Sequence, residues 1–159
     1  SPADGTFVGS TVYTATITLT PTAGYTLTGV PENIFTVAGA MATNAADTGV
    51  VTAVFAATEP AVVDIAAIPG VTVPVFNEIP VSTITATSQY TGTVTWSPPD
   101  VPFASFENYT ATITLTPTAG YTMTGILDNF FTVAGATATN AADTGVVTAV
   151  FPQTDGPAE

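Results

Sequence analysis

Two Asp-Thr-Gly triplets, Asp47-Thr48-Gly49 and Asp143-Thr144-Gly145, have the residue types and the number that could do chemistry. In aspartic proteases two such loops bring paired carboxylates together, so that they share a proton and activate water. The flanking residues argue for another role. Each triplet ends a turn leading into a Val-Val run, where Asp is expected to bond the backbone and Gly to take a positive φ. In a modular chain the two copies would also belong to different domains, too far apart to share a proton. No catalytic residue is assigned on this basis, and the chain is expected not to be an enzyme.

The remaining acidic residues suggest at most a cation. Calcium takes about six to eight oxygen ligands and often stiffens surface modules. The candidates are Glu32 and Asp128 at equivalent turns, Asp47 and Asp143, and Asp100 with Glu107. No EF-hand loop or dense Asp-x-Asp run accompanies them, so solvated carboxylates are the default and no cofactor is expected.

The residue types that are missing exclude more. The 159 residues contain 12 acidic side chains and no Lys, Arg, His or Cys, for a formal charge of −12. A Ser-His-Asp triad, a cysteine nucleophile, a Schiff-base lysine and a His/Cys zinc site are therefore ruled out. So large an uncompensated negative charge is repelled by nucleic acid and by anionic membrane surfaces. No apolar run approaches the roughly 18 residues of a membrane span. The chain opens Ser-Pro-Ala-Asp-Gly, so the leader of a secreted protein would have been removed or lie upstream.

The elements that position these residues repeat. Tyr13–Tyr25 recurs letter for letter as Tyr109–Tyr121, an offset of 96, and 38 of the 46 positions in Tyr13–Thr58 match Tyr109–Thr154. Ser1-Pro-Ala-Asp4 answers Ser97-Pro-Pro-Asp100 more loosely. A fixed period of this kind marks an array of like modules. Threonine supplies 34 residues, and with Val, Gly and Pro it favours strands and turns over helices.

Tyr109, Ala111, Ile113 and Leu115 alternate with Thr110, Thr112, Thr114 and Thr116, the period of a strand with one apolar and one hydroxyl face. Pro117 and Gly120 end it. Further strands are expected at Tyr121–Ile126, Phe130–Gly135 and Val146–Phe151, and upstream at Val62–Ile68, Val71–Phe76, Val81–Thr87 and Thr91–Trp96. Closely spaced short strands argue for an all-β, antiparallel β-sandwich. Tyr25, Tyr121, Phe35, Phe131, Phe55, Phe151 and Trp96 are expected in its core rather than on a sugar-stacking platform. The Thr ladders are read as solvent-facing sheet rather than as an ice-binding or glycan-bearing surface. Asn108-Tyr109-Thr110 is a lone glycosylation sequon that the first copy lacks.

The two copies are not equal. The block Tyr109–Phe151 has a twin, whereas the Val62–Trp96 block does not. Residues 1–60 therefore read as a partial module lacking its first strands, 61–155 as a complete module and 156–159 as an acidic tail. Half a sandwich exposes an apolar face and open sheet edges. Either the chain is a segment of a longer array, or neighbouring copies supply strands and build a polymer. Val73–Pro80 and Gln153–Glu159 are candidate connecting segments.

Tyr-Thr-Ala-Thr-Ile-Thr-Leu-Thr-Pro-x-Ala-Gly-Tyr-Thr, then Phe-Thr-Val-Ala-Gly-Ala and Gly-Val-Val-Thr-Ala-Val-Phe, resembles a tandem repeat of bacterial cell-surface proteins. Ile65-Ala-Ala-Ile-Pro-Gly-Val71 and Tyr90–Pro98 match that repeat's first half. The resemblance implies immunoglobulin-like modules strung along surface-layer-associated or adhesin-like polypeptides. It further implies a stalk, a spacer or a filament subunit at the cell surface. The partners implied are adjacent repeats or neighbouring copies, and an adhesin module would bind a glycan or protein through loops such as Phe103–Asn108 or Gly125–Asn129. Where the family often carries Lys in the Pro-x-Ala-Gly-Tyr turn, this chain has Thr22 and Thr118. An intramolecular Lys–Asn isopeptide bond is therefore impossible.

Overall fold

The computed structural model describes residues 5–157; residues 1–4 of the expected partial module and 158–159 of the expected tail lie outside it. Every regular element among the described residues is a strand. The chain divides into two compact units, Ser1–Pro60 and Ala61–Glu159.

Unit 1 is built on one three-stranded antiparallel sheet. Its strands are β1 (Thr14–Thr18), β2 (Ala40–Asn44) and β3 (Val50–Phe55), in the order β1-β3-β2. Alternation sets which face is apolar. Val51 and Ala53 point inward and are buried, while Val50 and Val54 point out. The register pairs Thr14 with Val54 and Thr18 with Val50.

Unit 2 contains the same sheet with one more strand. β6 (Tyr90–Ser97), β7 (Thr110–Pro117), β10 (Thr137–Asn140) and β11 (Val146–Val150) form a four-stranded antiparallel sheet in the order β10-β11-β7-β6. β7 pairs β11 from Thr110 with Val150 to Thr114 with Val146, the unit 1 register displaced by 96. Two short pairs complete the unit: β4 (Ala61–Val62) with β8 (Tyr121–Thr122), and β5 (Ala67–Ile68) with β9 (Thr132–Val133). These pairs are parallel, so the expectation of a wholly antiparallel fold is corrected. The core joins Tyr90, Val94, Ile113, Leu115 and Val147 of the sheet to Val63, Ile68, Met123, Phe131 and Val133 of the other layer. The arrangement is that of an all-β, sandwich-like unit.

Several expected strands are shorter, each for a local reason. Val62–Ile68 is interrupted because the Gln89 side chain, not a neighbouring strand, accepts the N–H groups of Asp64 (2.9 Å) and Ile65 (3.1 Å). Tyr121–Ile126 turns after two residues, with Thr122 Oγ1 accepting the Thr124 N–H and Met123 accepting that of Ile126. Phe130–Gly135 ends where Val133 accepts the Ala136 N–H and Gly135 takes φ 76°. Val71–Phe76 carries Pro74 and forms no strand. Val81–Thr87 is reduced to a bridge between Thr83 and Thr93. Val73–Pro80 is not a free connector, because Asn77 and Glu78 exchange backbone bonds with Phe103. Thr137–Asn140 is a strand that its sequence did not announce.

Candidate functional site

Both Asp-Thr-Gly triplets are structural clasps. Asp143 Oδ1 accepts the Gly125 N–H at 2.6 Å, and Asp47 Oδ1 accepts the Gly29 N–H at 2.5 Å. The expected backbone assignment is corrected in one respect. The positive φ belongs to the aspartates, 58° at Asp47 and 60° at Asp143, a conformation that Asp tolerates. Glycine is needed for a different reason: the neighbouring strand passes too close for a side chain. A β-carbon on Gly145 would lie 2.7 Å from the Leu115 carbonyl oxygen, and one on Gly49 would lie 2.6 Å from that of Leu19. Thr144 and Thr48 complete each turn by donating to the carbonyls of Ala141 and Ala45, both at 3.0 Å.

The calcium candidates do not gather into a site. Among the described residues, no three acidic side chains lie together in a way that could hold a metal ion. Asp128 meets the Asn129 amide at 3.3 Å, and Glu32 is exposed. Asp100, paired in sequence with Glu107, instead accepts the Tyr109 hydroxyl at 2.6 Å, and that hydroxyl in turn accepts the Ala104 N–H at 2.7 Å. Burial, aided by Asp100, holds the Tyr109 phenol above its ordinary pKa, and burial alone raises that of Tyr90.

Two buried amides were missed in the sequence and shape these turns. Asn140 accepts the Phe131 N–H at 3.0 Å and donates to the carbonyls of Leu127 and Ala141 at 3.0 and 2.9 Å. Asn44 repeats the arrangement with Phe35, Pro31 and Ala45. Their signal was the Thr-Asn-Ala-Ala run at the same place in each copy, which reads as a turn and hides a buried amide.

The aromatics behave differently in the two units. Phe131 and Phe151 are buried as expected, whereas Phe35 and Phe55 are half-buried and Tyr25 is exposed. Phe103 is in the core at 4% exposure, so that loop end is not a ligand-presenting side chain. Phe106 and Leu127 are the exposed apolar tips of the two loops considered for adhesion. Thr112, Thr114 and Thr116 face solvent.

A concavity lies on unit 1. It has a volume of about 470 Å³ and is lined by Phe7, Tyr13, Thr14, Ala15, Phe55, Ala56 and Thr58. It continues an apolar face along β1, where Ile17 is half-buried and Leu19 is 37% exposed; their counterparts Ile113 and Leu115 are 0% and 5% exposed. Phe7 is 80% exposed. A second concavity of about 290 Å³ lies in unit 2 beside Trp96 and is lined by Pro80, Val81, Ser82, Pro99 and Asp100 among others. The unit 1 concavity is walled mainly by aromatic and small apolar side chains, with hydroxyls from Tyr13, Thr14 and Thr58.

No family model, curated protein or solved structure matches the chain. Among the described residues no helix is long and apolar enough to cross a membrane.

Proposed function

We propose that the chain is a structural element: one complete and one partial module of an immunoglobulin-like β-sandwich repeat from a bacterial extracellular surface protein. It would act as a stalk or spacer, or as a filament subunit joined by strands passed between modules. The observation that carries this reading is the 96-residue offset of the two sheets. β1·β3 and β7·β11 share one register, and each turn repeats the same aspartate and asparagine clasps. Two copies of one architecture in one chain have the form of an array, and an array of like modules suits a spacer.

Composition supports an exterior role. The charge of −12 favours solubility. The absence of Lys and Arg removes every cleavage residue for trypsin-like proteases. No cofactor is required by this role, and the partners are adjacent repeats or copies of the same module. The alternative is an adhesin module holding a carbohydrate or protein through the loops tipped by Phe106 and Leu127, the exposed apolar residues there.

Glycan arrays and single-molecule stretching test the choice. A spacer leaves every glycan unbound and gives a discrete unfolding event for unit 2. Saturable binding abolished by Phe106→Ser or Leu127→Ser would establish the adhesin reading instead.

A further inference from the structure

Phe7, Tyr13, Ala15, Phe55 and Thr58 of the unit 1 concavity correspond at the 96-residue offset to Phe103, Tyr109, Ala111, Phe151 and Thr154. In unit 2 three of those residues, Phe103, Ala111 and Phe151, meet one side chain. Trp96 lies edge-on to Phe103 with ring centroids 5.0 Å apart, lies 5.5 Å from Phe151, and stands opposite Ala111 in the sheet. Its indole N–H donates to the Val81 carbonyl at 2.7 Å. We infer that the unit 1 concavity is a tryptophan socket, and that its occupant is a second copy of the segment Ala61–Trp96. This deepens the structural-repeat reading and rests on it.

The socket is preformed. Phe7 meets Tyr13 edge-on at 4.7 Å, as Phe103 meets Tyr109 at 4.6 Å. The Tyr13 hydroxyl accepts the Val8 N–H at 2.8 Å, as that of Tyr109 accepts the Ala104 N–H at 2.7 Å. Thr58 Oγ1 accepts the Thr11 N–H and donates to the Val8 carbonyl, as Thr154 Oγ1 does with Glu107 and Ala104. The Phe7–Tyr13 pair and the Thr58 clasp thus stand as their counterparts do beside Trp96, and a preformed site loses little order on filling.

The edge beside the socket has the matching register. Tyr13 bonds to Phe55 of β3 and Leu19 to Gly49 just before it, so the backbone groups of Thr16 and Thr18 point the other way, along the sheet edge. In unit 2 the equivalent Thr112 and Thr114 pair with Thr95 and Thr93 of β6. An incoming copy of β6 would therefore set its Thr95 opposite Thr16, its Val94 opposite Ile17 and its Trp96 over Ala15. Two further clearances fit the rest of the segment. Gly125 and Gly135 are where Val62 and Val73 press against the backbone of unit 2; at the equivalent Gly29 and Gly39 nothing lies within 4 Å of a built β-carbon. Strand addition of this kind draws affinity from backbone pairing and selectivity from the side-chain pocket.

The test uses the full chain and synthetic Ala61–Trp96 peptide carrying 5-fluorotryptophan, followed by fluorine NMR so that only the peptide is seen. The fluorine signal is expected to shift saturably, and a Trp96→Ala peptide, followed by calorimetry, to bind at least tenfold more weakly. Ala15→Leu in the chain fills the socket and is expected to weaken the parent peptide by a similar factor. Thr16→Pro removes an edge donor without touching the β1·β3 ladder, and is expected to weaken both peptides. Fusing the segment ahead of Ser1 is expected to protect the Thr16 and Thr18 amides from exchange.

Equal binding of the parent and Trp96→Ala peptides would overturn the inference, and so would no binding together with unprotected amides in the fusion. A chain that takes neither peptide, leaves the fusion amides unprotected and ignores glycans loses the socket but keeps the spacer role. One that takes the peptide and also binds a glycan keeps the socket and loses that role.

Discussion

Truncating Ile113 to alanine should be far more damaging than truncating Ile17, although the two residues occupy the same place in the same repeated strand. Ile113 is fully buried against Ile68, Val94 and Val147 among others in the unit 2 core. Removing about three carbons at ~0.8 kcal/mol each, with an added cavity cost, gives a loss of about 3 kcal/mol. Ile17 is already half-open to solvent, so its truncation leaves no sealed void and should cost roughly half of that or less. The assay for Ile113 is urea unfolding followed by the fluorescence of Trp96, the one tryptophan, which reports on unit 2. A loss of that size moves the midpoint down by about 1 to 3 M urea at ordinary slopes. Ile17→Ala is read on amide exchange at Val51 and Ala53 of unit 1. Equal losses at the two positions would refute the argument that Ala61–Trp96 is what seals this face.

Three other outcomes are expected. Asn140→Ala strips the Phe131 N–H of its acceptor and two carbonyls of a donor in a buried turn, and should destabilise unit 2 by about 2 to 4 kcal/mol in the same urea assay. Gly145→Ala forces a β-carbon against the Leu115 backbone; strand movement should cost about 1 to 3 kcal/mol, whereas a neutral result would mean the strands separate freely. Tyr109, with its phenol held above the ordinary pKa, is expected to make stability fall in alkali. Above about pH 10 the unfolded chain loses this proton first, so it binds fewer protons than the folded chain and stability drops as pH rises. Thermal melts of Tyr109→Phe between pH 9 and 12 should show a shallower decline than the parent, after correction for its lower starting stability.

Period and alternation were enough to find the long strands. Thr110–Pro117 and Tyr90–Ser97 each carry the two-residue rhythm through one apolar face, the turn at Asn140–Gly145 marks the start of Val146–Val150, and the 96-residue offset aligns the first and last of these with twins in unit 1. The short parallel pairs were not legible, because two residues have no measurable period and their partners lie roughly 60 residues away. Gln89 interrupts Val62–Ile68 from a distance in sequence that no local pattern records. The aspartate turns were read correctly as turns, but the close approach of Leu115 to Gly145 depends on tertiary packing, so the reason for glycine was misplaced. The concavity was foreshadowed by the unequal copy number of the two blocks. Its Phe7 wall was not, since Phe7 and Phe103 lie in the loosely matched stretch upstream of Tyr13 and Tyr109.

Site-resolved amide exchange on the intact chain tests the central claim, that unit 1 is the repeat without its covering segment. Thr112 and Thr114, paired to β6, should be protected by orders of magnitude over Thr16 and Thr18, beside which the described residues place no strand, while Leu115 and Leu19, bonded to Gly145 and Gly49, both retain protection. Comparable protection of all four threonine amides would contradict the account.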